Sequence, residues 1–190
     1  MRTVPVDDFL PALRQIAPAA MPITLKQAIV YSAGRFCRLT GIIRVEHTIG
    51  PVVEGQVTDV FGPIGLTTFN LTGEVDVVTK GERLAVGMDF ESPSMGTIQF
   101  LRDVSSDVRI RAAIEPVTDA TQLPIPLMDH WLIAICEGAA SWLYVLPEFF
   151  NGDLHSYHER EFVEHTRRAK RWLLDNTSMT TRPVAPREFF

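Results

Sequence analysis

Apolar residues near the start of the chain recur at helical spacing. Phe9, Leu10, Leu13 and Ile16 share one face of a helix over residues 6–16. Asp7 and Asp8 suit its first turn, where the helix dipole favours negative charge. Pro18 and Pro22 bracket a tight connection, and the fixed φ of Pro22 suits the opening of a second helix. That helix runs to about Thr40, burying Leu25, Ala28, Ile29, Phe36 and Leu39, with Arg35 and Arg38 near its negative end and Gly41 as its stop.

The period then changes from helical to alternating. Residues 43, 45, 47 and 49 oppose Arg44, Glu46 and Thr48 along a strand over 43–49. Further strands are expected at 52–61, 66–71, 74–78, 97–102 and 108–114, separated by turn chemistry at Gly62-Pro63, Thr72-Gly73, Lys80-Gly81 and Ser92-Pro93. Alternation in the last of them sends Arg109 and Arg111 to one side of a sheet. Residues 42–114 therefore read as one β-rich insert, a small antiparallel sheet or sandwich.

Helical spacing returns after a proline-bearing connector over 115–126. A helix over 127–146 carries Trp131, Leu132, Ile135, Ala139, Trp142, Leu143 and Leu146 as a broad apolar stripe, and Pro147 ends it. A final helix over 153–175 is amphipathic through Leu154, Phe162, Ala169, Trp172 and Leu173. Its acids come early and Arg167, Arg168, Lys170 and Arg171 come late. Residues 177–190 have no apolar period, carry Pro183 and Pro186, and end in Phe189-Phe190. Alone they bury too little surface to offset their ordering entropy, so an extended tail is expected. The fold class is thus α+β: an antiparallel helix bundle built from helical ends (6–40 and 123–175) with a central antiparallel β insert. A single domain over 1–176 precedes the tail.

Composition narrows the function. The chain has 190 residues, 46% of them hydrophobic and 22% charged, which is the globular range and the size of one domain. A net charge of −5 provides no overall field to recruit nucleic acid. Of 18 basic residues only Lys26, Lys80 and Lys170 are lysines; interface use of arginine and a GC-rich genome explain that bias equally well. Cys37 and Cys136 have no metal-ligand spacing and read as buried thiols of a reducing compartment, although the sequence leaves a single bridge between them open. The N-terminus lacks a signal pattern, and Asp129, His130 and Glu137 interrupt the most apolar stretch below membrane-spanning length.

No phosphate loop, dinucleotide fingerprint, nucleophile elbow or HExxH motif is present. His158, Glu161 and His165 share a helical face with His155 nearby, a spacing that can present ligands to one metal; ordinary histidines beside acids are the stronger reading. Cys37 with His47, and Asp129 with His130, lack the orienting motif that a nucleophile–base or acid–base pair needs. The run 167–171 can touch phosphate, but helix termination accounts for it as well. No cofactor is implied.

The residues resemble a family. The segment FLPALRQIAPAAMPITLKQAIVYSAGRFCRLTGI is similar to the N-terminal pattern of tailed-bacteriophage head–tail connector proteins, through Ala17-Pro18, Pro22, Gln27-Ala28, Arg35-Phe36-Cys37 and Thr40. IPLMDHWLIAICEGAASWLY followed by LHSYHEREFVEHTRRAKR resembles that family's paired C-terminal helices. The order helix pair, β insert, helix pair is also that of the tubular tail protein A, or gatekeeper-type, adaptors of short-tailed phages. Gly41-Ile42 stand where the pattern has an aromatic.

The resemblance implies a structural, non-enzymatic adaptor of the virion, made in the host bacterial cytoplasm and placed at the head–tail interface. It implies a homo-oligomeric ring, usually a dodecamer, beneath the portal protein, a nozzle or tail protein on the far side, DNA passing through the lumen and no membrane contact. The C-terminal segment becomes the anchor on the portal, with Arg182, Arg187, Phe189 and Phe190 as its docking residues. Another neck component, such as a head-completion or tail-terminator protein, is the nearest alternative. A small α+β enzyme or ligand-binding domain is the remaining one.

Overall fold

A computed structural model describes residues 1–18, 20–61, 69–80, 82–94 and 96–176. Strand β1 (Thr3–Pro5) leads through a 3-10 turn (Val6–Phe9) into α1 (Leu10–Ile16) and α2 (Pro22–Thr40). Seven strands follow: β2 (Arg44–Ile49), β3 (Val57–Asp59), β4 (Phe69–Thr79), β5 (Glu82–Arg83), β6 (Phe90–Ser94), β7 (Thr97–Phe100) and β8 (Val108–Pro116). Then come β9 (Gln122–Pro124), α3 (Ile125–Leu143) and α4 (Gly152–Asn176).

The expected bundle with a single β insert does not form. Among the described residues nine strands make three sheets: β1-β9, β2-β8-β4-β5 and β3-β7-β6. The first of these lies outside the expected insert altogether. It pairs Thr3 with Pro124 and Val4 with Leu123, so strands bracket the first helix pair and open directly into α3. Pro5 and Pro124 cannot donate to a long ladder, which keeps this sheet short.

Two turn signals inside the insert are strand residues instead. Thr72-Gly73 lies within β4, where the register against β8 shifts between Leu71 and Val75: a bulge carries the chain on rather than reversing it. Pro93 lies within β6, at the edge of its sheet, where a missing N–H leaves no ladder bond unmade. The expected strand over 66–71 falls partly outside the described residues.

The helices follow their local signals more closely. Gly41 takes the left-handed conformation at the end of α2 (φ 61°), and its N–H donates to the Cys37 carbonyl at 2.8 Å. Phe36 is fully buried, but Leu39, expected in the core, is 41% exposed. α3 begins at Ile125, two residues before the expected start, and bends at Trp131 (φ −129°). α2 packs against α3, α4 and β8, while α4 packs on α3 and α2. Apolar residues from all these layers, including Phe9, Leu25, Phe36, Ile98, Phe100, Ile110, Leu123 and Phe162, join one contiguous core.

Candidate interaction surfaces

The side chains with catalytic or ligand potential are joined to each other between helices. Arg35 on α2 makes a two-pronged bond to Glu159 on α4, one prong 2.8 Å long, and its guanidinium lies 4.6 Å from the Phe162 ring centre. Ser141 on α3 donates to the same Glu159 carboxylate at 2.9 Å. The bond from Arg35 holds the Glu159 carboxyl below its ordinary range against the opposing effect of burial, and Glu159 in turn raises Arg35. Arg38 binds Glu115 on β8 through two bonds of 2.9 and 3.0 Å, tying α2 to the sheet.

The histidine cluster does not converge. His158 is buried, with Nδ1 2.6 Å from Glu137 on α3 and its ring stacked on Tyr144 at 5.5 Å. His155 turns to Ser141, its Nδ1 3.0 Å from the carbonyl and 3.2 Å from Oγ. Glu161 approaches Arg160 at 3.8 Å instead of joining His158. Among the described residues no three His, Cys, Asp or Glu side chains are placed to hold a metal ion.

The other sequence candidates are also separated. Cys37 and Cys136 are free, buried thiols, which resolves the bridge that the sequence left open. Burial raises both, Cys136 to about 12 and Cys37 further, so neither is a thiolate at neutral pH. Both ring nitrogens of His47 are buried without a hydrogen-bond partner, so no bond links it to Cys37. Asp129 and His130 are exposed on α3. Asp7, in the 3-10 turn, pairs with Lys26 at 2.7 Å.

Arg109 and Arg111 do project from one side of β8. There both close on Glu46 of β2, at 3.4 and 2.7 Å, forming a cross-strand charge cluster.

Two exposed surfaces combine charge with large apolar side chains. The first is the end of α4. Ala169 is the last buried residue of this helix; beyond it Lys170, Arg171, Trp172, Leu174, Asp175 and Asn176 are exposed. Trp172, expected in the core, is 53% exposed. The basic run does not close the helix, because α4 continues past Arg171 to Asn176 and its last turn contains no basic residue. The dipole effect fades within one turn, so it does not explain Arg167 or Arg168.

The second surface is the three-stranded sheet and its loops. Val53, Val57, Val86 and Met88 are exposed here, Met88 by 77%. Residues 51–61 and 84–104 contain Glu54, Asp59, Asp89, Glu91 and Asp103 against a single base, Arg102, which bonds Asp89 at 2.5 Å. The Ala85 N–H and Arg102 keep the Asp89 carboxyl below its usual range. The surface is therefore acidic as well as apolar. No local sequence period marked it, because its residues come from loops and short strands that only the fold assembles.

The proposed docking residues Arg182, Arg187, Phe189 and Phe190 lie outside the described residues. No helix among the described residues is long and apolar enough to cross a membrane. Compared with models of known protein families the chain matches none, and a comparison with curated proteins finds no match either.

Proposed function

We propose that the chain is a structural head–tail adaptor of a tailed-phage virion. In this reading it forms a ring between the portal and the downstream tail or nozzle protein, and DNA passes through the centre. The observation that carries the reading is the projecting end of α4. The helix continues roughly 10 Å past Ala169, its last buried residue, at 1.5 Å per residue. A helix end exposed in this way suits insertion into a second protein, and in this reading Arg182, Arg187, Phe189 and Phe190, which follow it in the sequence, are the docking residues.

Two other features support a structural role. The side chains closest to a catalytic set are taken up in bonds between α3 and α4: Ser141 with His155 and Glu159, and Glu137 with His158. A net charge of −5 lets a ring surround DNA without gripping its phosphates, which would impede passage.

Removal of residues 178–190 tests the reading. The shortened protein should melt at the temperature of the full chain and fail to bind portal rings in co-sedimentation. Binding that survives the deletion would overturn the C-terminal anchor. The gene order provides an independent check, since an adaptor gene should lie next to those for portal and major capsid proteins.

A further inference from the structure

We infer that the basic end of α4 in one copy docks on the acidic face of the three-stranded sheet in a second copy. The inference rests on the ring reading and identifies the subunit contact. The α4 end displays Arg168 beside its last buried residue, Ala169, and Arg171, Trp172 and Leu174 beyond it. A short stretch of helix in water has little stability of its own, and an exposed tryptophan beside arginines is the composition of an interface anchor.

The sheet supplies the complementary chemistry. The Glu54 N–H donates to Asp103 Oδ1 at 2.7 Å, beside a bridge between Val52 and Val104. Asp89 accepts from the Leu101 N–H at 2.9 Å, which brings the Met88 turn to the same corner. Val53 and Met88 are exposed beside this excess of acids, so incoming arginines meet net negative charge while the apolar groups cover Trp172.

Both surfaces are exposed, so neither satisfies the other within one copy. They lie on different elements: α4 packs on α3 and α2, and β6 and β3 pair with β7. A contact between two unlike surfaces of identical chains is heterologous, and it generates a ring when the rotation closes. A double-stranded nucleic acid could also attract the arginines, but it offers no match for the acidic apolar sheet.

Charge exchange in the full-length protein tests the contact by sedimentation velocity at high protein concentration. The wild-type chain should show salt-sensitive association. Arg168→Glu/Arg171→Glu and Glu54→Lys/Asp103→Lys should each weaken it at least about tenfold, as loss of close interfacial charge pairs does. The four substitutions together should restore association, and so should mixing the two double variants. Trp172→Ala should weaken association in the wild-type background.

A wild-type chain that stays monomeric, or a fourfold variant that fails to recover, would overturn the inference. So would arginine variants that lose only binding to a DNA duplex. Portal co-sedimentation separates the two readings. Portal binding without charge rescue retains the adaptor and removes this contact; charge-rescued association without portal binding does the reverse.

Discussion

Arg35 on α2 grips both oxygens of Glu159 on α4, and the carboxylate so held also accepts the Ser141 hydroxyl of α3. One acid thus joins three helices. Arg35→Met should destabilise the chain by about 2 kcal/mol, the scale of hydrogen bonds to a charged group in a half-buried setting. Urea unfolding at neutral pH measures it. Glu159 has its carboxyl lowered in the folded state, so its contribution is present above the unfolded value near ~4.3 and is lost as pH falls through the folded one. Glu159→Gln should therefore flatten the acid side of the stability profile.

His47 behaves in the opposite sense. Burial lowers it, with Asp59 opposing, so the folded chain favours the neutral ring. The unfolded chain binds the proton first, and stability should decline as pH falls below about 6.5. His47→Leu should remove that decline and leave stability near pH 8 unchanged or higher. Paired urea titrations across pH 5–8 provide the check; equal slopes for the two proteins would refute it.

At Gly138, α3 lies directly against Ser32 of α2 and Phe162 of α4. A Cβ built there would stand 2.3 Å from Ser32 Oγ and 2.6 Å from Phe162 Cδ2. Ser32 is fixed by its bond to the Ile135 carbonyl at 2.8 Å, and Phe162 is fully buried, so neither yields easily. Gly138→Ala should cost about 3 kcal/mol through overpacking, against the gain in helix propensity. Differential scanning calorimetry should show a melting temperature lower by roughly 10 °C.

The buried thiols provide a probe of opening. Cys37 and Cys136 should resist a disulfide reagent in the native protein at pH 8 and react together once urea unfolds it. Fast labelling of either one under native conditions would show a local opening of the core around it.

The helices were legible because their apolar residues repeat over many turns, and Gly41 and the opening prolines mark their ends. Periodicity does not show where packing stops, however. Trp172 and Leu39 fit the helical stripes that bury Phe162 and Phe36, yet both are exposed, Trp172 because it follows the last buried residue of α4. The sheets were harder to read. A bulge at Thr72-Gly73 and an edge proline at Pro93 have the composition of turns, and β1 and β9 are too short to show alternation. The acidic sheet surface had no sequence signature because its residues come from short strands and loops that only the fold assembles.

The pairing of β1 with β9 has a consequence for synthesis. Thr3 finds its partner only when Pro124 has left the ribosome, and β2 waits similarly for β8, with Ile49 opposite Val108. α1 and α2 can form early, but their anchoring strands stay unpaired until about two thirds of the chain exists. Long-range closure of this kind slows folding and leaves strand edges open meanwhile. Translation stalled before residue 122 should leave the N-terminus open to proteases, and release past residue 176 should protect it.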